Sequence, residues 1–335
     1  MGYMDGADTQ IPALPKVDLS GLDMKGFDEK IWTTARLKIA EALETYGGFE
    51  VIYSEVSSEL RNKLLGLVVP EMFNRPAVNK LTDAQKLPYH GAWFSKLGFP
   101  FSALQLTDPN SKVNVQEYAD IIWPKGNDFF RYELLIFFYS NTVLNYAKHM
   151  HELINMIHRM ILEGLGLEDH YDSHMKSLAY SIRFSNYYKN EFDNGTNLAL
   201  PSHKDPNFVS IICPHGVEGL EVEAAGATGG EWIRTTNMTN SFIVLVGEAF
   251  KAWSNGRLHA PNHRVKLKNE TERRYAVIFS TLPSITNDTV NAPEELIDEQ
   301  HPLLFKAFKY YDYVKFRFSE EGEKADDALK AYCGA

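Results

Sequence analysis

Cysteine is almost missing from this chain, with only Cys213 and Cys333 among 335 residues. Two thiols make no disulfide framework, which excludes a small disulfide-stapled fold and fits a reducing compartment. Positive charge is also in deficit: 34 Lys and Arg stand against 44 Asp and Glu, for a formal net charge of −10. With no basic cluster to offset that balance, neither nucleic acid nor an anionic membrane is expected as a partner. No apolar run approaches the length of a membrane span. The first residues, Met1 to Gly6, lack the basic and apolar regions of a secretory leader. Gly6 breaks a myristoylation pattern, and Cys333 stands one place too late for a prenylation box. Repeats and low-complexity segments are missing too. These absences together lead us to expect a cytoplasmic protein.

What is present is ordinary globular material, 44% hydrophobic and long enough for one large domain or two smaller ones. Asp28 to Tyr46 reads as an amphipathic helix, with Ile31, Ala35, Ile39, Ala42, Leu43 and Tyr46 on one face and a stop at Gly47-Gly48. A second helix is expected over Val56 to Met72, broken near Pro70. Leu87 to Asn114 is aromatic and turn-rich, with short strands expected. A long helix follows Trp123-Pro124-Lys125-Gly126, with a core stripe of Val143, Ala147, Met150, Ile154, Ile157 and Ile161. Strands dominate from Ala179 to Leu282, and the tail from Pro302 to Ala335 is helical and charged. Helices first and strands later predict the α+β class. Four segments are expected: an N-terminal region over 1–120, a bracing helix and connection over 121–178, a strand-rich core over 179–285, and a helical C-terminal segment over 286–335.

The chemistry lies in the core. His203-Lys204-Asp205 is followed 58 residues after Asp205 by His263 within Asn262-His263-Arg264-Val265. Two imidazoles and one carboxylate are the set that holds a non-haem Fe(II) on one face and leaves the other open. A His-x-Asp pair alone says little, since roughly one chance match is expected in such a sequence, and His170-Tyr171-Asp172 is another. Context separates them. His170 lies in an acidic loop, whereas His203 and Asp205 lead into Phe208-Val209-Ser210-Ile211-Ile212, a buried-strand run. In extended chain, residues i and i+2 share a side, so His203 and Asp205 can converge while Lys204 points away. For the dipeptide alone, ordinary hydrogen bonds at a strand end remain the commoner reading.

Further on, Phe242 to Val246 reads as a buried strand, and Ala249 to Gly256 continues to a turn at Asn255-Gly256. Arg274 to Phe279 forms another strand. Alternation puts Arg274, Ala276 and Ile278 on one face and Arg273, Tyr275 and Val277 on the other. A guanidinium fork near an iron suits the far end of a dicarboxylate cosubstrate. Read alone, Arg274 is more often a surface charge on an edge strand. His259 is the rival to His263. His215 reads as a turn residue, and His149, His151 and His158 lie in a helical run.

Asn186-Tyr187-Tyr188, His203-Lys204-Asp205, Gly219-Leu220-Glu221-Val222, Trp253-Ser254-Asn255-Gly256, His263-Arg264-Val265 and Arg274-Tyr275-Ala276 occur in one order and spacing. In this the chain resembles the plant 2-oxoglutarate/Fe(II)-dependent dioxygenases. Ile11 to Leu19, Tyr46 to Glu50 and Asn291 to Leu303 extend the resemblance over nearly the whole chain. Tyr180-Ser181-Ile182-Arg183 and Ile122-Trp123-Pro124 resemble the AOP-like, glucosinolate-modifying subgroup. The resemblance implies a double-stranded β-helix (jelly roll) core with an N-terminal helical region and a long bracing helix. It implies His203, Asp205 and His263 as iron ligands, and Arg274, Tyr188 and Asn186 as cosubstrate residues. Fe(II), 2-oxoglutarate and O2 are the implied cofactors, with ascorbate as reductant. The implied protein is a monomer acting on a small-molecule prime substrate, a plant specialised metabolite. That substrate would be hydroxylated, dealkylated or desaturated, with release of succinate and CO2. Ala276 stands where the family usually has Ser, removing one hydroxyl from the distal carboxylate. Glu248 and Lys204 also depart from the usual residues. The alternatives are a same-fold oxidase that uses no 2-oxoglutarate and a binding protein with a vestigial metal site. The aromatic run Tyr89 to Phe94 with Phe99 to Phe101 is a candidate pocket wall, or ordinary core.

Overall fold

The architecture is that of a computed structural model, which describes residues 13–24, 26–75, 91–94, 100–123, 129–188, 197–214, 216–224, 230–235, 240–268 and 273–335. Two sheets face each other. The strands are β1 (Lys16–Asp18), β2 (Gly48–Ile52), β3 (Gly91–Phe94), β4 (Phe101–Thr107), β5 (Leu178–Tyr187), β6 (Leu198–His203), β7 (Val209–Pro214), β8 (Leu220–Glu223), β9 (Trp232–Arg234), β10 (Ser241–Val246), β11 (His263–Lys266) and β12 (Arg274–Pro283). The larger sheet runs β1-β2-β10-β7-β12-β5-β4-β3, and the smaller runs β6-β11-β8-β9. Between them lies an apolar interior of Ala199, Leu220, Val222, Ile233 and Val265 from one sheet and Ile212, Ile243, Leu245, Ala276 and Ile278 from the other. This is the jelly roll, and with its helices it is an α+β fold. The N-terminal strands β1 to β4 join the same large sheet as the core strands, so one hydrogen-bonded layer spans the expected segment boundaries.

The outer face of the large sheet is covered by helices α1 (Glu29–Thr45), α2 (Ser58–Lys63), α3 (Val69–Phe73), α4 (Lys112–Ile122) and α5 (Phe129–Gly164). Asp28 caps α1 by accepting from the amides of Lys30 and Ile31, a contact worth about 1 kcal/mol. Ala35, Ile39, Ala42 and Leu43 are buried as expected, but Ile31 is 54% exposed and Trp32 takes its place in the core. Trp32 has a reason to turn inward: its indole N–H donates to Glu163 Oε2 at 2.7 Å. The break in the second helix is a π-helical turn over Leu64–Val68. Pro70, just beyond it, has no N–H to continue the helical ladder. Every residue of the α5 stripe from Val143 to Ile161 is buried. Helix α4 is an addition to the elements expected from sequence.

Gly47 ends α1 at φ +67°, and a Cβ there would stand 2.3 Å from the His259 carbonyl and 2.6 Å from Pro261 Cδ. The glycine stop therefore lets the segment leading to His263 lie directly on the end of α1. A short helix, α6 (Tyr171–Lys176), then α7 (Glu248–Trp253) and the tail helices α8 (Tyr310–Arg317), α9 (Glu320–Lys324) and α10 (Ala328–Cys333) complete the helical set. Among the described residues no helix is long and apolar enough to cross a membrane.

Under the sheet sits a buried imidazole pair. His174 Nε2 lies 3.0 Å from His158 Nδ1, and His158 Nε2 lies 2.9 Å from the Thr281 hydroxyl. Burial pushes both imidazoles below their ordinary range, His174 down to about 4. Each is thus neutral when folded, whereas the unfolded chain protonates near pH 6.5. Stability from this pair is full above pH 6.5 and is lost as pH falls towards 4. Between pH 6.5 and 4.5 the wild type should lose about 2–3 kcal/mol more than His174→Asn, measured by denaturant titration. Equal losses in the two proteins would refute the assignment.

Candidate functional site

His203 is the last residue of β6 and stands directly opposite His263, the first residue of β11. Alternation in β11 turns His263 inward, where it is 3% exposed. It turns Arg264 outward, where Nε donates to Glu221 Oε2 at 2.8 Å. Asp205 follows β6 by two residues and is 4% exposed. Its Oδ1 lies 3.9 Å from His203 Nε2 and 3.9 Å from His263 Nε2. These separations exceed hydrogen-bond reach. The three donor atoms nevertheless all lie within 4.8 Å of one another, the one such group among the described residues. His259 is outside it, its backbone amide donating to the Leu43 carbonyl.

His203 and Asp205 are each fixed from behind by a hydrogen bond. The His203 Nδ1–H donates to the Pro201 carbonyl at 2.9 Å, which selects the tautomer whose Nε2 lone pair faces Asp205. The Pro261 backbone raises the basicity of His263, whose Nδ1 is buried without a hydrogen-bond partner. The Ser210 hydroxyl donates to Asp205 Oδ2 at 2.6 Å, leaving Oδ1 towards the imidazoles. Burial opposes ionisation of Asp205, but His263, Arg183, His203 and the Ser210 hydroxyl more than offset it and hold the carboxyl well below its usual range. Burial and the His263 charge push His203 down to about 3, and burial lowers His263 as well. Two neutral imidazoles and one carboxylate are the donor state a divalent cation requires.

The backbone of this segment is held from the C-terminal side. Glu248, the first residue of α7, donates its N–H to the Asp205 carbonyl at 2.8 Å. Its buried carboxylate accepts from Tyr313 Oη at 2.7 Å and pairs with Arg317 Nε at 3.2 Å. Arg317 also donates to the Lys204 carbonyl. The residue that departs from the family pattern is therefore a brace between α8 and the segment that carries Asp205. The stretch read from sequence as continuing to a turn is helical here from Glu248 to Trp253 before the Asn255-Gly256 turn.

Arg274 opens β12, 1% exposed, while Arg273 is exposed. This matches the strand alternation read from the sequence. The Arg274 guanidinium lies 5.0 Å from the Tyr187 ring centroid, and its Nε donates to the Val217 carbonyl at 3.2 Å. One terminal nitrogen, Nη1, is buried without a partner. A Cβ on Gly219 would come within 3.3 Å of Arg274 Cδ, so that glycine makes room for the side chain.

The register separates the two expected cosubstrate residues from Arg274. Arg274 pairs with Tyr187, and Tyr275 pairs with Asn186. Paired residues share a face. Asn186 therefore lies with Tyr275 on the helix-covered side, its amide N–H donating to the Ser102 hydroxyl at 3.4 Å. Tyr188 lies one residue beyond β5, its amide on the Pro100 carbonyl. Tyr187, inside the barrel and stacked on Phe101 at 5.2 Å, is the aromatic beside Arg274. Sequence reading also passed over Arg183, four residues before Tyr187 and so on the same face. Its charge acts on all three donor residues. The candidate aromatic pocket wall lies mostly outside the described residues, as does His215.

A jelly roll with two imidazoles and a carboxylate converging inside it, and a buried guanidinium on the facing sheet, defines the class of non-haem Fe(II) oxygenases that use an oxo-acid cosubstrate. The 2OG-Fe(II) oxygenase superfamily model matches residues 179–283. The probable 2-oxoglutarate-dependent dioxygenase AOP1.2 of Arabidopsis thaliana is 32% identical, covering 95% of each chain. AOP3 of the same plant is 27% identical over 96% of this chain and 98% of its own. The crystal structure of the rice dioxygenase for auxin oxidation superposes with a TM-score of 0.75 at 26% identity, covering 96% of this chain and all of that one. The chain belongs to the 2-oxoglutarate/Fe(II)-dependent oxygenase superfamily, as an AOP-like dioxygenase whose cofactors are Fe(II) and 2-oxoglutarate.

Replacing Arg274 by Ala should raise the 2-oxoglutarate KM by about 10- to 100-fold, the value of a charge-assisted contact. Arg273→Ala should be neutral, and Tyr187→Ala should raise KM more than Tyr188→Ala. A larger effect at Arg273, or at Tyr188 than at Tyr187, would show that the register has been misread.

Proposed function

We propose that His203, Asp205 and His263 hold Fe(II), and that Arg274, backed by Tyr187, takes the distal carboxylate of 2-oxoglutarate. The enzyme then hydroxylates, dealkylates or desaturates a small organic metabolite and releases succinate and CO2. The observation that carries this reading is the pairing of one donor cluster with one buried, incompletely satisfied guanidinium inside the same barrel. A buried charge with an unpartnered nitrogen is costly unless a ligand completes it. That feature speaks against the same-fold oxidase that dispenses with 2-oxoglutarate.

Bound Fe(II) supplies the redox chemistry that couples decarboxylation of the cosubstrate to oxidation of a C–H bond, with ascorbate as the reductant. The protein's share is geometric. Ser210 and the Pro201 carbonyl aim the donors, the apolar interior excludes water, and Arg274 fixes the cosubstrate's orientation. Asp205 bears on the outcome as well. A carboxylate in the third donor position leaves no room for the chloride that halogenating members of the family accept there. Relatives named for auxin oxidation support a small plant metabolite as substrate. The two free, buried cysteines support a reducing, cytoplasmic setting, and we take the active unit to be a monomer.

His203→Ala, Asp205→Ala and His263→Ala should each abolish Mn(II) or Fe(II) binding by calorimetry and end succinate formation, whereas His259→Ala should keep both. Iron lost from the His259 variant but kept by the His263 variant would overturn the ligand set. Succinate formation should require O2 and track product in a one-to-one ratio when a metabolite extract supplies the substrate. Product formed without succinate would favour the oxidase alternative.

A further inference from the structure

Beside Asp205 the barrel opens into a small cavity lined in part by Gln105, Ser181, Arg183, Ser280 and Tyr310. Its wall is the inner face of the large sheet. Arg183 of β5 pairs with Gln105 of β4 on one side and with Ile278 of β12 on the other. Ile278 shares the face of Arg274, four residues along the same strand. Arg183 therefore looks into the same interior as Arg274 from a position further along the sheet, next to the donor cluster.

Arg183 is incompletely satisfied. Its Nε is buried without a hydrogen-bond partner. Among the described residues it makes no ion pair. Asp205 feels its charge, but its Oδ2 accepts from Ser210 and its Oδ1 faces the two imidazoles at 3.9 Å. The neighbouring Gln105, Ser181 and Ser280 are neutral and can donate or accept.

Charge counting gives the missing partner a sign. On the reading proposed above, on which this inference rests, Fe(II) and Arg274 together are balanced by Asp205 and the doubly charged cosubstrate. Arg183, itself half-buried, adds one uncompensated positive charge beside the donor cluster. A single negative charge brought by the prime substrate would restore neutrality, and a guanidinium fork matches a planar carboxylate with two parallel hydrogen bonds. We propose that Arg183, assisted by Gln105, recognises a carboxylate on the prime substrate, so that the enzyme acts on small organic acids in preference to their neutral counterparts.

The test is binding to the Fe(II)- and 2-oxoglutarate-loaded enzyme under anaerobic conditions, read by calorimetry. The probes are acids and their matched primary amides: 1-naphthaleneacetate, cinnamate and octanoate with 1-naphthaleneacetamide, cinnamamide and octanamide. At least one acid should bind about 10- to 100-fold more tightly than its amide. Arg183→Met should bring that acid to the level of its amide while leaving amide binding and the visible charge-transfer band of bound 2-oxoglutarate unchanged. Arg183→Lys, which keeps the charge without the fork, should retain part of the preference. Acids binding no better than amides, or a preference that survives Arg183→Met, would overturn the proposal. So would loss of the charge-transfer band in Arg183→Met, which would make Arg183 a cosubstrate residue. A wild-type protein that gives no such band at all would overturn the cosubstrate reading, and this inference with it.

Discussion

The Asp205 carboxylate is the point on which this structure turns. It is an anion 4% exposed to solvent, and such a charge persists only where its neighbours supply what water would. The neighbours come from five parts of the chain: the β6 and β11 imidazoles, the Ser210 hydroxyl of β7, the Arg183 charge of β5, and the Glu248 amide of α7 on its backbone carbonyl. Satisfying this one group therefore ties both sheets and the helix after β10 into fixed relative positions. The resulting geometry is also what a divalent cation needs.

The terminal regions serve the same end. Gly47 gives the chain to His263 a bed against α1, and β2 lies beside β10, the strand that precedes Glu248. From the other end, α8 brings Tyr313 and Arg317 to the Glu248 carboxylate and Arg317 to the Lys204 carbonyl. Burial raises the Glu248 pKa, and the Arg317 charge and the Tyr313 hydroxyl work against that shift. Removing one partner of such a buried pair typically costs about 3–5 kcal/mol, because the other charge is left uncompensated. The tail is thus part of what holds the donor segment in place.

Much of this was legible in the sequence because it depends on short periods and on residue type. The donor set is carried by two brief segments whose context differs from that of the decoy His170-Tyr171-Asp172. A period of two put Arg274 and Arg273 on opposite faces, and the resemblance chose Arg274 as the inner one. The α5 stripe was equally plain. What failed to read depended on register between strands that are distant in sequence. Tyr188 and Asn186 were chosen by resemblance of residue type, whereas β12 sets Arg274 against Tyr187 and sends Asn186 to the helix side. Ile31 and Trp32 both fit an amphipathic face, and tertiary partners, the distant Glu163 and Arg159 among them, favour Trp32. Helix α7 was hidden because its apolar residues suit a strand as well as a helix over so short a run.

Arg183 shows why a site can be seen while its selectivity is missed. It lies within Tyr180-Ser181-Ile182-Arg183, and alternation fixes its position relative to Tyr187. No sequence signal said that the strand's inner face looks into the barrel, or that the partners of a guanidinium there would fall short of its donors. Those facts follow from the pairing of β4, β5 and β12. Two arginines then stand at different positions along one inner face, each with a buried nitrogen left unpartnered. Arg274 is the one we assign to the cosubstrate. Arg183 lines the small cavity beside Asp205, so on our proposal the inner face of a single sheet carries both the cosubstrate contact and the contact that selects the substrate.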